Sequence, residues 1–407
     1  MFPSINEQMD VITRGVVDLL PEEELVKKLE RSLKENTPLI IKLGCDPSRP
    51  DLHLGHTVVL RKMRQFQDLG HQAILIVGDF TGMIGDPSGR SETRPALTLE
   101  ETRKYGRSYF EQASKVLDGE KVKIVHNSDW LAKMTFEDVI RLASQYTVAR
   151  MLERDDFHNR YTKGEPISVH ELLYPLAQAM DSVAIHSDVE LGGTDQKFNL
   201  LVGRDIQREY RQEPQVILTM PIIPGTDGTQ KMSKSLDNYI GISESPDQIY
   251  GKTLSIPDEL MYAYFELLTD VPNDELHTIK TILEEQTQNP RDLKRRLARE
   301  LVKLYYSQED ALQAEQEFDK VFIQKHVPDD IPEFVPDTDA AAMWIVQLMH
   351  DSGLAASNSE ARRLIKQGAV SIDGEKIHDP DAEISLTNSC VLKVGKRRFA
   401  KIVPQQS

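Results

Sequence analysis

Only two cysteines occur in the 407 residues, Cys45 and Cys390, and no paired spacing links them. This argues against a disulfide framework or a cysteine-based zinc site and fits a reducing compartment. No apolar run is long enough to cross a bilayer. The segment Met1-Phe2-Pro3-Ser4-Ile5-Asn6-Glu7 has neither the basic region nor the apolar core of a secretory leader. Together these absences predict a cytoplasmic protein without a membrane partner. Internal repeats and low-complexity tracts are missing as well. Positive charge is scarce: 49 Lys and Arg stand against 65 Asp and Glu, a net charge of −16. Taken alone, that balance argues against a nucleic-acid partner. Its distribution changes the reading, because residues 341–407 carry nine basic and seven acidic side chains, leaving the acidic excess to residues 1–340. Phosphate-binding charge can be local on an acidic chain.

What is present is the composition of a globular protein, 39% apolar and 28% charged, long enough for two or three domains. Leu39–Ile41 and Ala73–Val77 read as buried strands, with an amphipathic helix between them (Leu60, Met63, Phe66, Leu69) that Gly70 is placed to end. Further strands are expected at 121–125, 187–191 and 215–219, and helices at about 98–117, 135–152, 168–185 and 195–210. Strands alternating with helices predict a doubly wound, Rossmann-like parallel sheet, with ligands beyond the carboxyl ends of its strands. The expected organisation is a catalytic domain over 1–225 with a helical insertion at about 135–180. A lysine-bearing loop and all-helical domain follow over 226–325, then a proline-rich linker over 326–340 and a small α+β domain over 341–407. In that last domain Ser357–Glu360 has capping-box spacing, and Asp373-Gly374 marks a hairpin turn.

Two short segments carry the chemistry. His53-Leu54-Gly55-His56 falls at the start of a helix, where unpaired N–H groups and the helix dipole favour phosphate. Gly55 lets a nucleotide approach the backbone, and the two imidazoles, three residues apart, share a helical face. About 175 residues downstream lies Lys231-Met232-Ser233-Lys234-Ser235, whose ammonium groups suit a pentavalent phosphate centre. Gly225 and Gly228 are expected to let that loop swing. Arg90 and Arg94, after Gly85–Gly89, form a second basic loop that would close over pyrophosphate. Tyr174 and Gln178 share a helical face, and Asp181 lies three residues beyond Gln178, so one helix can line one pocket.

The order of Gly44-Cys45-Asp46-Pro47, His53–His56, Thr81–Gly89, Tyr174–Asp181, Gly192–Gln196 and Lys231–Ser235 resembles the bacterial tyrosyl-tRNA synthetases, of class I, over nearly the whole chain. Residues 341–407 resemble the RNA-binding domain shared with ribosomal protein S4. The resemblance implies that ATP, with Mg2+, and tyrosine react to tyrosyl-adenylate, and that tyrosine then passes to the 3′-terminal adenosine of its tRNA. No tightly bound cofactor and no protein metal site is implied, and a homodimer is. By position, Asp181 would accept the substrate phenol, while Tyr174, Gln178, Asp86 and Gln196 would hold its α-amino end. Gly193 and Asp195 would meet the ATP ribose, with Ile222 and Ile223 near adenine. Gly44, Asp46, Gly55 and Met232 would line the nucleotide side, and His53, His56, Lys231 and Lys234 would stabilise the transition state. Arg362, Arg363, Lys366 and Lys376 would contact tRNA phosphates. The chain departs from the family at two places. Lys42 stands in the tyrosine site where many members carry a tyrosine, and Glu190 where a glutamine is common; the two are expected to form an ion pair.

Overall fold

The computed structural model describes residues 2–46, 52–87, 106, 109–322, 331–338, 340, 342–395 and 398–404. Arg90 and Arg94 lie outside these residues. The chain divides into two compact units, residues 1–312 and 313–407.

The first unit is built on a six-stranded sheet of order β1-β6-β5-β2-β3-β4. Its strands are β1 (Asp18–Leu20), β2 (Ile40–Cys45), β3 (Gln72–Val77), β4 (Val122–His126), β5 (Val189–Gly193) and β6 (Val216–Met220). The strands β2 to β6 run parallel, and β1 adds an antiparallel edge that the sequence does not announce. β6 is buried at every position and β3 at five of six. Continuous apolar runs of this kind are what a parallel sheet covered on both faces requires. The winding leaves β2 toward β3 and β4 on one side and resumes with β5 and β6 on the other. The topological switch point therefore lies between β2 and β5, where a crevice opens beyond the strand ends.

Helix Leu54–Asp68 leads from β2 to β3, burying Val58, Met63 and Phe66, and Gly70 with φ +97° turns the chain out of it. Between β4 and β5 the segments predicted as two longer helices are broken into shorter pieces. These are Phe136–Ala143 and Val148–Met151 in place of the first, and a 3-10 turn Val169–Leu173 and the helix Tyr174–Ile185 in place of the second, with a helix that was not predicted, Asp155–Lys163, between them. Thr135 and Thr147 each cap a helix start, and Gly164 and His186 end helices in the left-handed region. Residues beyond the lysine loop are helical, as expected: Pro246–Leu254, Met261–Leu268, Asn273–Glu285 and Pro290–Tyr305.

The second unit is α+β. A five-stranded sheet orders as β10-β9-β12-β13-β7, with helices Ile345–Asp351 and Asn358–Lys366 burying Val346, Met349, Ala361 and Ile365 in a core with Val370, Leu392 and Ile402. Here β7 is Glu333–Phe334, β8 Ala342–Trp344, β9 Val370–Ile372, β10 Glu375–Lys376, β11 Glu383–Ser385, β12 Cys390–Val394 and β13 Arg398–Ile402. Asp373 and Gly374, both at positive φ, turn β9 into β10. Ser357 accepts from the Glu360 amide, while the Glu360 carboxylate accepts from Ala356 and not from Ser357. Within the segment expected as a linker, Glu333–Phe334 pairs in parallel with β13, so this part of 326–340 belongs to the sheet. Three prolines in that segment do not prevent two residues from joining an edge.

Candidate active site

A cavity of about 260 Å³ lies at the switch point, lined by the ends of β2 and β5 and by the helices behind them. It brings together Gly44, Asp46, His56, Asp86, Tyr174, Gln178, Asp181, Gly193 and Gln196. These residues come from five separate stretches of chain. The cavity is strongly polar at one end, and each carboxylate there is held by named donors. Tyr174 Oη donates to Asp46 Oδ2 at 2.8 Å, and Thr81 Oγ1 donates to Asp46 Oδ1 at 2.7 Å. Gln196 Nε2 donates to Asp86 Oδ2 at 2.9 Å, with the Arg154 guanidinium at 3.4 Å from Asp86 Oδ1. Gly78 leaves the room for this arrangement. A Cβ there would fall 1.9 Å from Asp46 Oδ1 and 2.4 Å from Thr81 Oγ1, so only glycine fits.

Asp181 is 3% exposed on helix Tyr174–Ile185. Trp130 Nε1 donates to its Oδ1 at 2.9 Å and Asn127 Nδ2 to its Oδ2 at 3.3 Å. Burial pushes this carboxyl up to about 7, against the opposing pull of Lys42, Trp130 and Asn127. Asn127 also donates to Thr81 Oγ1 at 2.9 Å, which ties the Asp181 end of the cavity to Asp46. The sequence reading missed Asn127 and Trp130. Asn127 directly follows the carboxyl end of β4 and Trp130 lies on the short helix Ser128–Leu131 just beyond it, and the strand-end rule applied to every strand would have pointed to this segment.

Lys42 does not line the cavity. It is fully buried behind it, 2.8 Å from Glu190 Oε1. Its expected ion pair with Glu190 is present, but its expected place in the tyrosine site is corrected to one layer deeper. Its ammonium is drawn to helix Tyr174–Ile185, where the Gln178 carbonyl and Ser182 Oγ accept from it, while the neighbouring Leu43 faces the cavity.

The histidine segment opens helix Leu54–Asp68, with His53 at the cap position. The rings of His53 and His56 lie 3.8 Å apart, and the His53 amide donates to His56 Nδ1 at 3.2 Å. That bond leaves the proton of the neutral His56 ring on Nε2. Burial, then His56 and the Lys234 and Lys231 ammoniums, bring His53 down to about 3. Desolvation of its ring nitrogens and the same two lysines bring His56, which keeps an exposed edge, to about 4. Both are neutral donors at pH 7.

The lysine segment is anchored more firmly than its glycines suggest. Pro224 and Lys231 form an antiparallel bridge, Met232 N donates to the Ile223 carbonyl at 3.1 Å, and Asp227 accepts from the amides of Thr229 and Gln230. Gly225 lies where a Cβ would meet the Asn238 carbonyl at 2.2 Å, and Gly228 adopts φ +78° in the turn. Close packing and turn geometry thus account for both glycines expected to provide swing. Met232 is buried, and its sulfur accepts from Gly55 N at 3.3 Å, joining the loop to the histidine helix. Lys231 Nζ sits 3.1 Å from Asp195 Oδ2, both in contact with solvent. Lys234 Nζ lies 5.4 Å above the Tyr239 ring. Ile222 is beside Gly193, 3.8 Å from where its Cβ would be, while Ile223 is buried.

In the second unit, Arg362, Arg363 and Lys366 are exposed on helix Asn358–Lys366, and Lys376 is exposed on β10 near the Gly368 end of that helix. The Arg362 guanidinium stacks over Trp344 at 4.9 Å and pairs with Asp381 at 3.3 Å. Among the described residues no His, Cys, Asp and Glu side chains converge as a metal site, and no helix is long and apolar enough to cross a membrane.

The model of the family "tRNA synthetases class I (W and Y)" matches residues 34–323, and that of the tyrosine–tRNA ligase SYY-like C-terminal domain matches residues 323–402. The chain is 57% identical to a tyrosine–tRNA ligase of Salinibacter ruber, over 100% of this chain and 98% of the relative. To that of Chlorobaculum tepidum it is 58% identical over 99% of this chain and 98% of the relative. The fold is similar to the tyrosyl-tRNA synthetase of Archaeoglobus fulgidus, solved with L-tyrosine, with a TM-score of 0.62 and 22% identity over 76% of this chain and 99% of that one.

Proposed function

The chain belongs to the class I tRNA synthetases of the tryptophan and tyrosine group, and from that premise we propose that its cavity joins tyrosine to ATP before tyrosine is passed to tRNA. The reaction is tyrosine–tRNA ligation. A tyrosine carboxylate oxygen bonds to the α-phosphorus of ATP as the bond to pyrophosphate breaks, and the 3′-terminal adenosine of tRNA then takes the tyrosyl group.

One observation carries the assignment of roles: a single cavity is lined by buried Asp181 together with His56 and Gly193. Ionised Asp181 accepts the phenol hydroxyl, and phenylalanine would leave that desolvated acceptor without its partner. Asp86, with Tyr174, Gln178 and Gln196 around it, provides the acceptor that an ammonium group requires, while Gly44 and Asp46 line the nucleotide side. Gly193 and Asp195 take the ribose, and Ile222 and Ile223 flank adenine. His53 and His56 donate N–H to phosphate oxygens, while Lys231 and Lys234 offset the charge that builds as pyrophosphate leaves. Arg90 and Arg94 are assigned to the same pyrophosphate. Mg2+ arrives with ATP as part of the substrate. Arg362, Arg363, Lys366 and Lys376 bind tRNA backbone phosphates.

The working form is a cytoplasmic homodimer. Phe136, at 81% exposed, and Ile140, Val148, Tyr161 and Val169 turn large apolar side chains to solvent within the helical segment 136–169, and a second copy would cover them. A monomeric mass by sedimentation would remove the dimer. The activity is tested by amino-acid-dependent exchange of labelled pyrophosphate into ATP. Tyrosine is expected to support exchange; tryptophan in its place, or no exchange with any amino acid, would overturn the assignment.

A further inference from the structure

Behind the cavity lies a charged pair that the roles assigned to its lining leave unused. Lys42 on β2 and Glu190 on β5 are register partners in the parallel ladder. Their charged groups meet at 2.8 Å with side chains 0% and 1% exposed. Withdrawing two charges from water costs several kcal/mol per ion, and apolar residues of the same volume often serve stability equally well. Fold stability is therefore a weak reason for this pair.

Its hydrogen bonds converge on one helix. Lys42 Nζ donates to the Gln178 carbonyl at 3.0 Å and to Ser182 Oγ at 2.7 Å. Glu190 accepts the Gln178 side-chain amide at 3.2 Å on Oε1, and the Ser182 hydroxyl at 3.3 Å and the Gln215 amide on Oε2. Gln178 and Asp181 face the cavity, whereas Lys42 and Glu190 do not. The pair thus grips helix Tyr174–Ile185 at residues 178 and 182, on both sides of Asp181. It also selects one rotamer of Gln178.

Resting on the assignment of Asp181 to the substrate phenol, we propose that the Lys42–Glu190 pair is the positioning unit of the tyrosine pocket, fixing the Gln178 amide and the helical turn that presents Asp181. Its effect reaches tyrosine and leaves ATP untouched, because neither residue bonds to the histidine helix or the lysine loop. Lys42 additionally favours the ionised form of Asp181, while Glu190 opposes it and the other two groups on Asp181, Asn127 and Trp130, are neutral donors.

The test uses the full chain and the double variant Lys42→Met/Glu190→Gln, which removes both charges at nearly constant volume. Pyrophosphate exchange is measured against tyrosine, ATP and phenylalanine, alongside the thermal midpoint. The KM for tyrosine is expected to rise about tenfold, equivalent to about 1.4 kcal/mol, with the ATP KM within twofold and the preference over phenylalanine reduced. A folded double variant with an unchanged tyrosine KM would overturn the proposal, as would equal changes in both KM values. If that double variant does not fold, Lys42→Gln/Glu190→Gln, which keeps polar groups at both positions without leaving a lone buried charge, decides by the same two constants, and its failure to fold would assign the pair to stability instead. Tyrosine-dependent exchange by the parent chain separates this inference from the activity on which it rests.

Discussion

The two ends of the proposed site are built on opposite plans. At the end proposed for the nucleotide, Lys231 is 62% exposed and Asp195 31%, and their contact is a solvent-facing ion pair of the kind worth about 0–1 kcal/mol. At the tyrosine end, Asp181, Asn127, Lys42 and Glu190 are all buried, and every polar atom named there has a partner. The difference follows the task. A triphosphate changes geometry and charge as it reacts, so lysines held by weak, exposed contacts can follow it at small cost. A phenol must be told from a bare ring by one oxygen. That discrimination needs a rigid acceptor whose desolvation is costly unless the right donor arrives.

The largest expected effect tests the nucleotide end. Lys234→Ala should slow adenylate formation by about 10²–10³-fold, the usual cost of losing one preorganised donor to a transition state. Tyrosine affinity measured by equilibrium dialysis should be nearly unchanged. Equal losses in rate and in tyrosine affinity would break the division between the two ends. Next comes the second unit. Because Glu333–Phe334 belongs to its sheet, the clean truncation removes residues 323–407, the start matching the C-terminal family model. Charging of tRNA should fall by about 10–100-fold through lost phosphate contacts, with pyrophosphate exchange intact. Loss of exchange as well would mean that the cavity depends on the tail.

Asp181→Asn probes the other end. Its amide N–H₂ would have to face either the Trp130 or the Asn127 donor, and the charge-assisted bond to the phenol would be gone. Selectivity for tyrosine over phenylalanine should drop by about 10–100-fold, in line with about 1.5–3 kcal/mol for a hydrogen bond to a charged group. The substitution also has a signature in stability. Burial raises the Asp181 pKa from the usual 3.8 to about 7, so between these values the folded state binds a proton that the unfolded state has released. Stability contributed by this group therefore falls as pH rises from 4 to 7 and stays low above it. The difference in unfolding free energy between the parent and the Asn variant should carry that slope, on top of the opposite one that His53 and His56 give to both chains. A difference that stays constant across the range would mean that Asp181 is not the group responsible.

The two ends also differ in how far sequence alone reveals them. The nucleotide end consists of contiguous residues, His53–His56 and Lys231–Ser235, whose spacing survives as written. The sheet was legible for a similar reason: β3 contains the apolar run Ala73–Val77 and β6 the run Val216–Leu218, and Gly70 and Asp373-Gly374 mark local backbone turns. The tyrosine end is assembled from β2, the segment after β4, one helix and β5, and no local pattern states which polar side chain will be buried by such pairing. Asn127 and Trp130 look like ordinary loop residues until the ladder places them against Asp181. Gly78 is required only because Asp46 arrives from another strand. Lys42 gave half its meaning away, since a lysine within Leu39-Ile40-Ile41-Lys42-Leu43 demands a buried partner, yet its place behind the cavity follows from the helix that packs over its face of β2 and not from composition. Edge pairings as short as β1 and β7 lie below what residue patterning can signal.

The smallest effect is a titration, and it separates the two ends without a mutation. His53 and His56 are held to about 3 and about 4, so neither changes charge between pH 5 and pH 8. Asp181 does, because burial pushes its carboxyl up to about 7. Only its ionised form offers the substrate hydroxyl a charge-assisted acceptor on top of the bonds from Trp130 and Asn127. The kcat/KM for tyrosine should therefore fall by about tenfold between pH 8 and pH 6, with the KM for ATP nearly level over the same interval. Asp181→Asn should flatten that limb while leaving the reaction measurable. An acid limb that persists in the Asn variant, or one that appears equally in the ATP constant, would place the titrating group at the nucleotide end and erase the contrast between an adaptable phosphate site and a rigid phenol site.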